Sequence, residues 1–147
     1  MRIIVLTGDG LRHRYFVKRL IDKGHTILAW GEAKGQSFNN LKFRNDNTEL
    51  LQLHSNLLKQ SFSLLVQDTF EEIEIEIFKR GSFRENKLVD RMKYFHPEII
   101  LTYGCGIVGE AIIELYPNRV IGSHQGLPQY YRGSGSNFFA FLNEESS

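Results

Sequence analysis

The sequence lacks several features that mark specialised classes of protein. Its single cysteine, Cys105, has no partner for an internal disulfide, which argues against a small disulfide-stapled fold. No apolar run reaches the length of a signal peptide or a membrane span. No repeat or low-complexity tract interrupts the 147 residues. These absences predict a globular, cytoplasmic protein with no membrane partner.

An excess of charge of either sign is also missing. The 18 lysines and arginines nearly balance the 17 aspartates and glutamates, so the formal net charge is +1. No strong field therefore indicates nucleic acid or an anionic surface as the main partner, and a small-molecule ligand is expected. Core-forming residues are plentiful, since 41% of the chain is hydrophobic. The length fits one domain of the usual range of about 100 to 200 residues.

Strands and helices are predicted to alternate along the first third of the chain. The apolar run from Ile3 to Leu6 predicts a strand that ends at the turn Thr7-Gly8-Asp9-Gly10. A helix follows, predicted to end at Gly24. Its apolar residues at helical spacing are Phe16, Val17, Leu20 and Ile21. Residues 25–30 then predict a second strand.

The alternation continues to the last third of the chain. A helix capped by Asn47 or Thr48 is predicted to bury Leu50, Leu51, His54, Leu57 and Leu58. Alternating glutamate and isoleucine predict a half-buried strand through Ile73, Ile75 and Ile77. The later predictions are a helix with Leu88, Val89, Met92 and Phe95 closed by His96-Pro97, a strand 98–103, a helix 109–115 and a strand 119–123. This order predicts an α/β fold with a parallel sheet and helices on both faces, in which ligands bind beyond the carboxyl ends of strands.

The turn after the first strand is a candidate anion site. Free backbone N–H groups at a strand-to-helix junction, flanked by Arg12 and Arg14, suit a phosphate or another anionic group. The alternative is that both arginines are solvated helix charges. A dinucleotide site is not favoured, because His13 stands where the fingerprint has its third glycine. Glu32 also falls after the predicted second strand rather than at its tip.

The stretch GSHQGLPQYYRGSG places His124 at the end of the last predicted strand, in a loop of glycines, proline and tyrosines. It resembles the hallmark loop of the folate-dependent formyltransferases, in which Asn-x-His is followed by Gly or Ser, Leu-Leu-Pro, an aromatic residue and Arg-Gly. The segments IIVLTGDGLRHRYF and HPEIILTYGCGIV extend the resemblance over nearly the whole chain. This family acts on glycinamide ribonucleotide, on methionyl-tRNA or on nucleotide-linked amino sugars.

The resemblance implies a Rossmann-like domain that transfers a formyl group from 10-formyltetrahydrofolate to a primary amine. His124 matches the family's catalytic histidine, which moves a proton and stabilises a tetrahedral intermediate. Imidazole suits that role because its unperturbed pKa of about 6.5 lets it take and give a proton near neutrality. The implied folate-binding residues are Tyr103, Gly104, Cys105, Gly106, Ile107, Val108, Gly126, Leu127 and Pro128. The implied substrate-binding residues are Gly8, Gly10, Arg12, His13, Tyr131, Arg132 and Gly133.

The residues by themselves leave structural alternatives open. His124 at a strand end can be a hydrogen-bonded structural residue, and Tyr130 and Tyr131 can be packing residues. The loop 103–108, whose Ile107 or Val108 would wall the pterin ring in the family, can be an ordinary strand-to-helix connection. Arg132 can brace its own loop rather than hold an anion. Cys105 has no metal-ligand neighbours in the sequence, so no metal site is expected and its thiol is interpreted as incidental to catalysis.

Two departures from the family pattern lower the expected activity. Gly122 stands where the family has the asparagine that serves as an oxyanion donor, and Ser123 is expected to face away from His124. The loss of such a donor costs about 100- to 1000-fold in rate. The family also uses a later aspartate to orient the histidine, and no aspartate follows Asp90. We therefore expect residues 1–147 to be an incomplete amino-terminal domain, with a histidine that lacks a fixed tautomer and with weak or no turnover.

Several functions and partners stay open at this stage. The leading interpretation is a formyltransferase for a small amine, such as a nucleotide-linked amino sugar. A non-catalytic remnant that binds folate or a nucleotide is the main alternative, and a hydrolase that releases formate is another. The resemblance leaves a tRNA acceptor open. An exposed sheet edge would favour association, so a homo-oligomer is open as well.

Overall fold

The computed structural model describes residues 1–33, 52, 53, 56, 57, 59–61, 73–131, 136 and 143. Within these residues five strands run parallel in one sheet: β1 Arg2–Thr7, β2 Thr26–Glu32, β3 Glu76–Phe78, β4 Ile99–Tyr103 and β5 Val120–Ser123. The strand order is β3-β2-β1-β4-β5. The α-helices with full bounds are α1 Leu11–Asp22, α2 Val89–Phe95 and α3 Glu110–Leu115. The predicted α/β architecture is confirmed.

The central strand β1 explains why its sequence is a continuous apolar run. Successive side chains of a strand point to opposite faces, and both faces of this sheet are covered. Ile4 and Leu6 join a core cluster on one face that includes Met92 of α2 and Ile112 of α3. Its other buried members are Trp30, Phe83, Leu88 and Ile100. Ile3 and Val5 join a second cluster, with Val17 of α1. Helices therefore pack on both faces of the sheet.

The helix ends follow from local residues. Gly24, with a φ of 79°, lies just after α1 and takes the left-handed conformation predicted for a helix terminator. Two 3₁₀ turns, Ser82–Arg84 and Asn86–Leu88, lead into α2. His96 ends α2 with a φ of 51°, and Pro97 follows it.

The structure corrects three of the predicted elements. β2 runs to Glu32, so this residue lies at the tip of the strand and not beyond it. β3 begins at Glu76, and Ile77 is exposed although Ile75 is buried; at the edge of the sheet the strand pairs on one side with β2. Residues 52, 53, 56, 57 and 59–61 are helical as predicted, but Leu57 is 52% exposed. Leu50, Leu51, His54 and Leu58 lie outside the described residues.

Exposure rises toward the two edges of the sheet. Ile121 of β5 is an exposed large apolar side chain, and β5 pairs with β4 through a register that joins Tyr103 to Ser123. No helix among the described residues is long and apolar enough to cross a bilayer.

Candidate active site

Strand register brings three of the predicted site segments to one edge of the sheet. Thr7 pairs with Tyr103, and Tyr103 pairs with Ser123. The next residues along the chain, Gly8, Gly104 and His124, therefore leave the carboxyl ends of three adjacent parallel strands. Neighbouring strands lie about 4.8 Å apart, so the three loops begin side by side. We call residues 104–109 the β4 loop and residues 124–131 the β5 loop.

The imidazole of His124 is held by its own loop. Its Nε2 lies 2.9 Å from the carbonyl oxygen of Tyr131 and 3.1 Å from Oγ of Ser136. A carbonyl oxygen can only accept, so Nε2 must carry the proton that it donates. In the neutral ring Nδ1 is then the unprotonated nitrogen, and none of the described residues hydrogen-bonds it. The tautomer was expected to be unfixed for want of an orienting carboxylate; the Tyr131 carbonyl, as an acceptor beside Nε2, favours the Nε2–H form instead.

The β5 loop is compact at its base and exposed at its tip. The N–H groups of Tyr130 and Tyr131 both donate to the carbonyl of Leu127, at 3.0 and 2.8 Å. A Cβ atom at Gly126 would lie 2.5 Å from Cβ of Ser136, so glycine is needed there for close packing. Leu127 and Tyr130 are 66% and 77% exposed. Gly126 therefore lets the loop close on itself, while the apolar side chains at the tip face outward.

The β4 loop divides into an inward and an outward part. Gly104 starts it with a φ of 63°, in the region that favours glycine. Cys105 and Val108 pack against the larger core cluster, whereas Ile107 is 65% exposed. Of the two residues predicted to wall a pterin ring, Ile107 is the one available to a ligand. Burial and the neighbouring charge of Glu32 raise the pKa of the Cys105 thiol to about 11, which keeps it protonated and weakly nucleophilic at neutrality.

Glu32 fastens the β4 loop from the tip of β2. One carboxylate oxygen, Oε2, accepts the N–H of Gly106 at 3.0 Å, and Oε1 accepts the N–H groups of Gly81 and Phe83 at 2.8 and 3.3 Å. The side chain is 5% exposed. In a dinucleotide site an acidic residue at this strand tip binds the ribose, but here backbone donors of the protein occupy both oxygens.

The turn after β1 is filled by His13. Its ring is buried, Nδ1 accepts the N–H of Gly10 at 3.0 Å, and Nε2 would lie 2.5 Å from a Cβ placed on Gly104. A Cβ on Gly8 would lie 2.7 Å from the same ring. The histidine thus closes the α1 amino terminus and supports the start of the β4 loop. This position favours packing over the substrate contact predicted for His13, which stays a prediction.

The two arginines predicted to flank the anion site, Arg12 and Arg14, differ in their contacts. Arg14 Nη1 donates to the carbonyl of Ile73 at 2.5 Å, which anchors the segment before β3. The Arg12 guanidinium lies 5.8 Å from the ring centroid of Tyr103. Asp9 has a buried Oδ1 without a hydrogen-bond partner among the described residues, and this acceptor works against an anion in the turn. The anion site at this turn stays a prediction.

Gly122 stands where the family pattern has an amide, beside the side chain of Thr102. A Cβ at this position would meet Thr102 Oγ1 at 3.1 Å, within reach of a small adjustment by that side chain. Thr102 and Gly122 are register partners in β4 and β5. The backbone can therefore accept a larger residue at the position beside His124.

Sequence reasoning missed three residues of this edge. They are Glu32, Ser136 and Thr7, whose Oγ1 donates to the carbonyl of Tyr103 at 2.7 Å. Of these three, only Glu32 could have been noticed in the sequence, as an acidic residue that follows an apolar run. Arg132 and Gly133, predicted to bind substrate, lie outside the described residues. Across the described parts of the chain, no three or more histidine, cysteine, aspartate or glutamate side chains form a metal-binding group.

Comparison with known proteins gives a fold-level match. No known family profile matches the sequence, and no curated protein is detectably similar to it. The structure of phosphoribosylglycinamide formyltransferase from Anaplasma phagocytophilum is similar to 97% of this chain, with a TM-score of 0.58 and 14% identity. Glycinamide ribonucleotide transformylase 1 from Symbiobacterium toebii is similar over 97% of the chain as well, with a TM-score of 0.56 and 13% identity.

The match spans only part of each of these proteins. The chain covers 58% of the length of the Anaplasma protein and 60% of the Symbiobacterium protein. At this identity the similarity is one of fold. The fold includes the parallel sheet, whose strands end at the turn after β1, the β4 loop and the β5 loop. The chain therefore has a Rossmann-like fold of the formyltransferase type.

Proposed function

We propose that this chain transfers a formyl group from 10-formyltetrahydrofolate to a primary amine, with His124 as the proton acceptor. The observation that carries the proposal is the geometry of the imidazole: its Nε2 lies 2.9 Å from the Tyr131 carbonyl, which can only accept, so in the neutral ring Nδ1 is the nitrogen left to take a proton at the carboxyl ends of the strands. An amine that attacks a carbonyl carbon must lose a proton, and a positioned base accelerates that loss by about 100- to 10,000-fold. The formyltransferase-type fold supports the same reaction class.

The two loops beside His124 have the chemistry that a folate requires. Ile107, Leu127 and Tyr130 offer exposed apolar surface for a flat ring system. The backbone of the β4 loop offers polar groups to a heterocycle, except for the N–H groups of Gly106 and Gly109, which are bound to Glu32 and to the carbonyl of Phe83. When bound there, 10-formyltetrahydrofolate supplies the formyl carbon that the amine attacks. The bond between the formyl carbon and the folate nitrogen breaks as tetrahydrofolate leaves. The protein's own part is to hold the donor beside His124, to accept the proton of the amine at Nδ1 and to return it to the departing nitrogen.

Turnover is expected to be slow in the chain as it stands. Gly122 has no side-chain donor to stabilise negative charge on the formyl oxygen, and this charge develops in the transition state. The sequence resemblance favours a small amine as the acceptor of the formyl group, for example a nucleotide-linked amino sugar. The same missing donor favours a second candidate function, a folate-binding protein without turnover.

Calorimetry with 5-formyltetrahydrofolate tests the binding half of the proposal. Heat of binding is expected from the folded chain, and binding should weaken when Leu127 and Tyr130 are both changed to serine. Those side chains are exposed, so the double variant should keep the stability of the parent chain. Absence of binding to a folded sample would remove the folate interpretation.

A formyl-transfer assay tests the catalytic half. The chain is incubated with 10-formyltetrahydrofolate and a panel of amines, and both formylated amine and free formate are measured. The signal should be weak in the parent chain and lost in His124→Gln. His25→Gln is the control, because His25 lies just before β2, at the amino ends of the strands and so away from His124. Formate in the absence of any amine would assign a hydrolase instead, and folate binding with no product at all would assign the binding function.

A further inference from the structure

Glu32 occupies a place in the fold that its sequence did not reveal. It ends β2, the strand next to the central β1, and its carboxylate lies between the segment after β3 and the β4 loop. Both segments approach it with backbone N–H groups. We propose that Glu32 is a positioning residue that sets the shape of the folate-binding surface formed by the β4 loop; this inference rests on the proposed function.

The hydrogen-bonding pattern requires a carboxylate rather than any polar group. Three backbone N–H groups converge on its two oxygens, so both ends of the side chain must accept. Glutamine has one accepting oxygen and one donating NH₂ group. Its oxygen fits best toward Gly81 and Phe83, where two donors point, and its NH₂ group would then face the N–H of Gly106. The substitution therefore releases the β4 loop selectively.

The space around Gly106 shows how tightly the loop is held. A Cβ atom at this position would lie 2.5 Å from Oε2 of Glu32 and 3.5 Å from Cδ. Any side chain at 106 must separate the loop from the carboxylate, by moving one or the other, and either movement disturbs the hydrogen bond between the Gly106 N–H and Oε2. A second tie runs in parallel, since Gly109 N–H donates to the carbonyl of Phe83 at 2.8 Å. The β4 loop is thus held against residues 81–84 both directly and through Glu32.

The position of the loop matters for the ligand because of what lies on its two sides. Cys105 and Val108 point toward the core while Ile107 is exposed. A loop released from Glu32 can rotate, which would withdraw Ile107 from the surface and expose Cys105. Glu32 has no direct part in the chemistry, because backbone N–H groups of the protein are already bound to both of its carboxylate oxygens. It acts through the loop.

The test compares three variants of the whole chain for binding of 5-formyltetrahydrofolate by calorimetry. Glu32→Gln and Gly106→Ala should each weaken binding about tenfold or more, the scale of a lost hydrogen bond to a charged group. Glu98→Gln is the matched control. This glutamate also accepts a backbone N–H, that of Arg2 at 2.6 Å, but it lies at the amino ends of the strands. Unchanged affinity in Glu32→Gln would overturn the inference, and should that variant not fold, unchanged affinity in Gly106→Ala would do so.

The single cysteine supplies a readout that does not depend on folate. Alkylation of Cys105 is measured against pH, and Glu32→Gln should raise its rate at pH 8.5 by about threefold or more, because removal of the adjacent negative charge and loosening of the loop both favour the thiolate. Gly106→Ala retains the charge and loosens the loop, so it should raise the rate less. An alkylation profile unchanged in both variants would overturn the positioning role.

Failure of the proposed function and failure of this inference give different results. If the parent chain binds no folate, the proposed function fails and the thiol profile still decides whether Glu32 positions the loop. If the parent chain binds folate and Glu32→Gln binds it equally well, the function stands and the inference fails. Gly106→Ala decides the matter should Glu32→Gln not fold.

Discussion

The β4 and β5 loops leave adjacent strands at the same edge of the sheet, yet they are held in different ways. The β4 loop is fastened by the buried carboxylate of Glu32 and packs two side chains into the core. The β5 loop holds itself, through the carbonyls of Leu127 and Tyr131, and its tip is exposed. The difference follows from strand order, since β4 lies between β1 and β5 whereas β5 lies outermost among the described strands.

Under the proposed function, the two kinds of support suit two different tasks, ligand binding and proton transfer. A surface that reads a rigid heterocycle benefits from a loop whose shape is fixed by the interior. A base that must meet an incoming amine has to be reachable, and His124 is exposed. The sheet supplies both conditions by placing one loop near its centre and the other at its edge.

The largest expected effect comes from removing the support beneath the β4 loop. Phe83 is fully buried, and Phe83→Ala should lower the free energy of unfolding by about 3–5 kcal/mol through the loss of a large core side chain. Leu127→Ala, in the exposed tip of the β5 loop, should change it by no more than about 0.5 kcal/mol. Urea denaturation of both variants measures the difference. Equal losses would show that the two loops are supported alike.

The next largest effect concerns rate. Gly122→Asn restores an amide beside His124 and should raise formyl transfer about 100- to 1000-fold if the side chain reaches the developing oxyanion. The Cβ contact with Thr102 calls for the companion variant Gly122→Asn with Thr102→Ala, which relieves it. Activity in either form should disappear with His124→Gln. An unchanged rate in both forms would show that the absent amide does not limit this chain.

A smaller effect is expected from crowding the base of the β5 loop. Gly126→Ala would place a methyl group against Ser136 and Tyr131, and such overpacking costs about 1–3 kcal/mol. The expected consequence is loss of the Nε2–H bond to the Tyr131 carbonyl. Nitrogen NMR of the imidazole should report a single Nε2–H tautomer in the parent chain and a mixture in Gly126→Ala. A mixture already in the parent would contradict the assigned tautomer.

The smallest effect is expected at β3, the outer strand on the side of the sheet away from β5. Arg91 binds both carboxylate oxygens of Glu76 on β3, at 2.8 and 2.6 Å, and the hydrogen bond from Arg91 lowers the pKa of Glu76. A lowered folded-state pKa stabilises the fold above pH 4.5, and this contribution disappears as the pH falls through the folded value. Because both side chains are half exposed, Glu76→Gln should cost less than about 1 kcal/mol at pH 7. The difference from the parent chain should vanish once the pH is below the folded-state pKa of Glu76, and a difference that persists there would point to packing instead.

The alternation of strands and helices was predictable because each element has a local cause. The run Ile3–Leu6 is apolar on both faces, as a central parallel strand must be, and Gly24 ends α1 through a backbone conformation that glycine favours. His124 was predictable as a candidate because of the loop that surrounds it. The short β3 and the exposed Leu57 were not, since local periodicity does not tell which strands will lie at an edge or which helix faces will be covered.

The sequence by itself determined the class of fold, the order of its elements and the placing of one imidazole at a strand end, because these depend on contacts between near neighbours. Tertiary structure alone decided the hydrogen-bond partner of that imidazole and the hydrogen bonds of Glu32. The first depends on a carbonyl seven residues away, and the second on donors 49 to 74 residues away in the chain. Hydrogen bonds over such separations follow from the packing of the whole sheet, and no local pattern encodes them.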